Sequence, residues 1–218
     1  MACHAVLVCH TALTDGIFPP TPQQMLVQLD ELRQLDEAVQ DMLRLLADRY
    51  QWTEAERANP PIPVVVSGDF NNVPGSGVYE YMTHTFLSGA AASADTDTGV
   101  MRSAYAPFQA CMGGVDSVDA AGGSGEPPYS TVTHRRSCTI DFIFHNPYFR
   151  PTALLTPPPE HMMDCSTPVP SARDEHAGLS IDERANVLIE QGIPNAHFGS
   201  DHLPIMAELE YVLATPRG

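Results

Sequence analysis

Val64-Val65-Val66-Ser67-Gly68-Asp69-Phe70-Asn71-Asn72 is an apolar β-forming run that ends in an acid and two amides. Three consecutive valines predict a strand from Val64 that terminates at Asp69. Asp69 and Asn71 stand at i and i+2, so on an extended chain their side chains point to one side. A carboxylate beside an amide in that position can orient a water and hold a phosphate oxygen. The same two residues also suit an Asx turn, which needs no chemistry.

A second stretch, Pro194-Asn195-Ala196-His197-Phe198-Gly199-Ser200-Asp201-His202-Leu203-Pro204, precedes the last apolar run. Asp201-His202 reads either as a capped turn with a surface imidazole or as part of a site. A third residue favours the site. Asp141 lies within Thr139-Ile140-Asp141-Phe142-Ile143-Phe144, where an unpaired buried carboxylate is costly. It needs a cationic or donor partner, and His202 is the natural one. An Asp–His pair fixes the imidazole tautomer and favours its charged form, which suits a crowded phosphate transition state.

The rest of the chain supplies a scaffold. Ala5-Val6-Leu7-Val8-Cys9 predicts a buried strand with neighbours on both sides. Thr21, Pro22 and Gln24 form a Thr-x-x-Gln capping signature. Met25, Leu26, Leu29, Leu32, Leu35, Val39, Met42, Leu43 and Leu46 then recur at helical spacing, which predicts a packing helix with one solvated face. Asn59 to Pro63 breaks the chain. Val78 to Phe86 and Ile181 to Glu190 predict short helices, and Ile205 to Val212 predicts a half-exposed final strand. The small-residue and Pro-rich segments near 88–100, 112–128 and 156–180 read as surface insertions in a single unit over 1–218.

Composition narrows the function classes. The chain has 218 residues, 43% of them hydrophobic, and a formal charge of −16. All 11 basic residues are Arg, against 27 acids. That balance argues against a broad basic surface for non-specific nucleic-acid binding, while leaving room for a nuclease whose site meets phosphate through a bound metal. Five cysteines with no Cys-x-x-Cys pair predict reduced thiols and an intracellular, cytoplasmic setting. No run approaches the roughly 20 apolar residues of a membrane span, so no membrane partner is expected.

Three ordered motifs, Gly68-Asp69-Phe70-Asn71, Ile140-Asp141-Phe142-Ile143 and Ser200-Asp201-His202-Leu203-Pro204, resemble those of the endonuclease/exonuclease/phosphatase superfamily. Pro74-Gly75-Ser76-Gly77-Val78-Tyr79, Ser103-Ala104-Tyr105 and Pro194-Asn195-Ala196-His197-Phe198 are similar to segments of its CCR4/nocturnin/Angel deadenylase-like branch. The resemblance implies an α/β (α+β) fold, a four-layer sandwich of the DNase I-like type with about its C-terminal half in this chain. It implies Mg²⁺-dependent phosphodiester hydrolysis, with Mn²⁺ as a substitute, on the 3′ end of single-stranded RNA such as poly(A). In that scheme Asp69 orients or deprotonates water, Asn71 holds the scissile phosphate, His202 stabilises the transition state and Asp141 orients it. Asp201 sits near the metal, and substrate contacts fall to His10, Tyr105, Arg136 and Phe198. A protein-complex partner is also implied.

The chain departs from the family pattern at three points. The family's metal-binding Glu and first-strand Asn belong to an N-terminal half with no counterpart upstream of Asp69, since Glu31 and Glu37 fall on the amphipathic helix. The usual phosphate-facing His is Ala12, with His10 two residues earlier and about 6.6 Å back along the strand. An aromatic before the Asp141 strand is Arg136, whose guanidinium plane can also stack on a base. Without that half, one sheet face is expected to be bare and apolar. Two other readings stand beside the exoribonuclease: hydrolysis of a small phosphorylated nucleotide, and a non-catalytic module acting through protein contacts.

Overall fold

The computed structural model describes residues 7–14, 20–58, 62–87, 101–107, 125–132, 137–158 and 200–212. Most of the expected insertions, the expected helix at Ile181 to Glu190, Arg136 and Phe198 lie outside the described residues.

The elements run β1 (Leu7–Ala12), α1 (Pro22–Arg49), α2 (Glu54–Ala58), β2 (Val64–Asp69), α3 (Gly77–His84), β3 (Arg102–Ser103), β4 (Thr131–Val132), β5 (Ser137–Cys138), β6 (Asp141–His145), β7 (Phe149–Leu154) and β8 (Ala207–Tyr211). Four strands form one mixed sheet in the order β1-β2-β6-β3, with two further pairs, β4-β5 and β7-β8. β1 and β2 are parallel, and β6 is antiparallel to both β2 and β3. β1 is therefore an edge strand among the described residues, not the doubly flanked strand expected. The run expected as one strand from Cys138 to Phe144 breaks at Thr139–Ile140, so Asp141 opens β6 instead of lying within it.

α1 forms where its caps and period dictate. Gln24 N–H donates to Thr21 Oγ1 at 3.2 Å and Thr21 N–H donates to Gln24 Oε1 at 2.8 Å, which satisfies two first-turn amides reciprocally. Gln28, Leu32, Asp36, Val39, Leu43 and Ala47 form its buried stripe. The stripe joins one sheet face, where Val64, Val66, Phe142 and Phe144 meet Val78 and Met82 of α3. Phe70 lies edge-on to Phe144 at 5.2 Å and to Phe142 at 5.8 Å, the orientation that ring quadrupoles favour. Asp36 is buried but satisfied by Tyr81 Oη–H at 3.1 Å, Leu87 N–H at 3.1 Å and Gln40 Nε2–H at 2.9 Å.

The opposite face carries Val8, His10 and Ala12 of β1, Val65, Ser67 and Asp69 of β2, and Asp141, Ile143 and His145 of β6, because alternate residues point the same way. The expected bare face is only half bare. Leu154, Ala207 and Leu209 of the β7-β8 pair, with Ile205 just before β8, pack with Ile143, Ala104 and Tyr105 over its β3-β6 side. On the β1 side Val8 remains 65% exposed. The described chain thus stacks helices, a four-stranded sheet and part of a second sheet.

Two contacts make sharp demands on the sequence. Gly68 has φ +151°, and a Cβ there would lie 1.6 Å from the Thr11 carbonyl oxygen. Only glycine lets β1 pass so close. Glu126, within the segment expected as a surface insertion, is 3% exposed and accepts from Tyr79 Oη–H at 2.9 Å, with Ser103 beside it. Burial pushes its carboxyl from 4.5 up to about 7, against the pull of those two hydroxyls.

Gly68→Ala is expected to cost roughly 3 kcal/mol or more in urea unfolding, since the strand must shift or adopt strained backbone. Glu126→Gln tests the buried carboxyl. The unfolded chain loses that proton near pH 4.5 and the folded chain near 7, so the folded state binds more protons in between. Stability falls as pH rises through that window. The glutamine variant lacks this slope and gains on wild type by roughly 3 kcal/mol between pH 4.5 and 7, read by denaturant melts across pH.

Candidate active site

The antiparallel register of β2 and β6 sets Asp69 directly opposite Asp141. Both carboxylates leave the sheet on the face away from α1. His202, from the segment before β8, comes down between them. Its Nδ1 lies 2.9 Å from Asp141 Oδ2, and its Nε2 lies 3.9 Å from Asp69 Oδ2. The first distance is a hydrogen bond; the second is too long for one and leaves Nε2 turned toward the Asp69 carboxylate. The side chains of His202, Asp69 and Asp141 are 29%, 25% and 15% exposed, so the cluster is open on one side.

The electrostatics follow from this placement. The hydrogen bond to Asp141 raises the His202 pKa above 6.5, and the charges of Asp141, Asp69 and Asp201 add to it, while partial burial opposes them. The imidazolium is therefore held to higher pH than in a free histidine. With Asp141 as acceptor, the Nδ1 proton is fixed, and in the imidazolium Nε2–H is left to donate outward.

Each carboxylate is held in turn. Asp69 Oδ1 accepts from Asn71 N–H at 2.8 Å, so the Asx turn is real. Asn71 sits at φ +49°, a region that Asn visits more readily than most residues. Its side chain is 8% exposed and donates from Nδ2 to Leu13 O at 3.0 Å, tying the end of β1 to the end of β2. Asn72 donates to Gln28 Oε1 at 2.7 Å, and Gln28 donates to Thr14 O at 2.9 Å. Glu31 accepts from the Thr14 backbone and hydroxyl, so it serves the same loop.

The imidazole arrives through residues that sequence reasoning missed. Leu203 N–H donates to Ser130 O at 2.7 Å, Val132 N–H to Asp201 O at 3.2 Å, and Thr131 Oγ1–H to Asp201 O at 2.8 Å. Ser130 Oγ–H donates to Asp141 Oδ2 at 2.7 Å. Nothing in the Pro-Tyr-Ser-Thr-Val run that ends the Gly-rich segment marks it as a clamp. Only its spacing before the Asp141 strand could have suggested a β partner.

The remaining site expectations divide. His10 is exposed on the same sheet face and pairs with Ser67, one row behind Ala12, which is opposite Asp69. Tyr105 is not available to a substrate base. It is 2% exposed, its hydroxyl donates toward Leu155 O and Met206 O at 2.9 Å, and it accepts from Met206 N–H at 3.0 Å. Its ring closes the small core under β7-β8, which is where its apolar area is best buried. Among the described residues no group of three or more His, Cys, Asp or Glu is arranged to hold a metal, and no helix is long and apolar enough to cross a membrane.

Comparison with known proteins gives this geometry a family. Carbon catabolite repressor protein 4 homolog 4 of Arabidopsis thaliana is 26% identical over 209 residues, covering 95% of this chain and 38% of the relative. The CCR4-Not complex 3′-5′-exoribonuclease subunit Ccr4 of Yarrowia lipolytica is 24% identical over 201 residues, covering 86% of this chain and 23% of the relative. The crystal structure of ANGEL2, a 2′,3′-cyclic phosphatase, aligns at 20% identity with a TM-score of 0.43, covering 95% of this chain and 57% of that one. The chain spans well under half the length of these curated relatives. The family model described as Endonuclease/Exonuclease/phosphatase family matches residues 12–202, a span that takes in Asp69, Asp141 and His202, and the chain belongs to that family.

Proposed function

We propose that the chain carries the acid–imidazole part of a metal-dependent phosphodiester hydrolase that shortens single-stranded RNA from its 3′ end. The observation that carries this reading is the Asp69–His202–Asp141 cluster, with its raised imidazole pKa and its open side. The exoribonuclease named among the relatives supports RNA as substrate, with poly(A) the specific form proposed. The complex named with it supports a protein partner.

Asp69 Oδ2 orients the attacking water and takes up its proton as the oxygen bonds to phosphorus and the P–O3′ bond breaks, the departing 3′ oxygen of the shortened RNA taking a proton from solvent. His202 Nε2–H donates to a phosphate oxygen as negative charge grows there, and Asp141 keeps the ring turned for that bond. His10, Arg136 and Phe198 are assigned to substrate contacts. Asn71 is assigned to the phosphate, with its amide nitrogen already committed to Leu13 O.

Asp201 and Asp69 border His202 and offer hard oxygen donors. Magnesium is commonly held by one or two carboxylates together with waters and substrate phosphate oxygens, so this donor set fits it, and manganese by the same logic. Asp201 is the residue assigned to the ion. When bound, the ion neutralises charge on the phosphate.

The test is shortening of a 5′-labelled RNA with a 3′ A-tail, with and without Mg²⁺. Asp69→Ala and His202→Ala are each expected to slow it by about 100-fold or more with the fold intact by circular dichroism. Competition with free phosphorylated nucleotides separates an RNA hydrolase from a nucleotide phosphatase. Rates untouched by either substitution overturn the mechanism. No hydrolysis, together with no Mg²⁺-dependent rise in melting temperature, leaves a non-catalytic module, because a bound ion stabilises by mass action.

A further inference from the structure

Ser130 touches both the Asp141 carboxylate at the start of β6 and the segment that carries His202. It is fully buried. Its Oγ accepts from Ile140 N–H at 3.0 Å and from Asp141 N–H at 2.9 Å. The same oxygen lies 2.7 Å from Asp141 Oδ2. A hydroxyl has one proton and two lone pairs. Both lone pairs are taken by amides, so the proton has one direction left, the Asp141 carboxylate. Asp141 Oδ2 is then fixed by two donors, the Ser130 hydroxyl and His202 Nδ1–H.

The backbone around Ser130 controls the other half of the pair. Its carbonyl accepts from Leu203 N–H at 2.7 Å, and Thr131 bridges His202 across an isolated antiparallel contact. One residue therefore fixes the Asp141 side chain by its hydroxyl and the His202 segment by its carbonyl. The break at Thr139–Ile140 makes this possible. It leaves two amides without strand partners at the start of β6, and a side-chain oxygen takes the place of a carbonyl there.

We propose that Ser130 is a positioning residue of the phosphodiester hydrolase: its hydroxyl holds the Asp141 carboxylate in the orientation that fixes the His202 ring. This rests on the functional reading above, and the experiment separates the two. Ser130→Ala removes the donor but also strands two buried amides. Ser130→Cys keeps the shape and a weak acceptor while giving a poor donor. Ser130→Thr keeps the hydroxyl.

The first readout needs no turnover: the His202 Nδ1–H proton resonance in NMR spectra of the whole chain. It is expected downfield and protected in wild type and Ser130→Thr, and lost or shifted upfield in Ser130→Cys and Ser130→Ala. The second is hydrolysis of the A-tailed RNA with Mg²⁺. Ser130→Cys is expected to lower kcat by about tenfold, the lower end of what loss of an outer-shell partner does, with KM unchanged and Thr restoring it. In a His202→Ala background the Ser130→Cys change is expected to have no further effect, because it acts through the imidazole. An unchanged Nδ1–H resonance in Ser130→Cys overturns the proposal, as does an equal loss of kcat with and without His202. A wild-type protein that hydrolyses nothing overturns the functional reading, while the resonance still decides whether Ser130 positions the pair.

Discussion

The pairing of β2 with β6 is the constraint on which the rest depends. It places Asp69 and Asp141 in one cross-strand row on one face. Like charges directly opposite in a sheet are destabilising by roughly 0.2–1 kcal/mol. The arrangement persists because the imidazole enters between them and each carboxylate has donors of its own. Asp69 has the Asn71 amide; Asp141 has the Ser130 hydroxyl and His202. The strand pairing creates an electrostatic conflict at the sheet end, and the same conflict raises the imidazole pKa. Stability and chemistry draw on one geometry.

The two sheet faces divide the labour. On the helix side, Val64, Val66, Phe142 and Phe144 are buried under α1 and α3 and keep the strand register from slipping. A slip of one residue in either strand would turn that strand's carboxylate into the core, which the burial cost forbids. On the other face the side chains grade from apolar cover under β7-β8 to the polar row at Asp69 and Asp141. A chain with a formal charge of −16 repels an RNA substrate at long range. Over the roughly 8 Å of a physiological screening length, however, what counts is the charge near the site. There the raised pKa of His202 favours a positive charge at the cluster, and in the proposed reading the bound ion supplies the remaining attraction.

Much of this could be read from residues alone, and the reasons are local. α1 was legible because its cap and its apolar period are both written within a few residues of each other. The Asp141–His202 pair was legible because an acid in an apolar run must have a partner. Tyr105 shows the limit of that logic: an aromatic beside a motif looks like a base platform, but its ring and hydroxyl close the core under β7-β8. The break in the strand before Asp141, and the clamp by Ser130 and Thr131, were invisible for a related reason. Both depend on contacts between segments far apart in sequence, and neither leaves a periodic trace. Glu126 was hidden by its neighbours, since a glutamate after a Gly-rich stretch reads as surface until a tyrosine from α3 is found upon it.

The way His202 is held bears on how the site can move. The segment 200–203 does not join the main core. Its apolar anchor is Leu203, which packs with Tyr129 and Val132 in a small separate cluster. Among the described residues its polar attachments are the bonds to residues 130–132 and the imidazole contact itself. Local opening free energies scale with such attachments and range far below the global value. The strand end bearing Asp69, by contrast, is tied into α1 through Asn71, Asn72 and Gln28. Among the described residues, the site therefore joins a half tied into α1 to a half held by fewer contacts. The Ser130–Asp141–His202 chain of hydrogen bonds links the two halves, so the orientation of the imidazole depends on a donor outside the strand that bears Asp69.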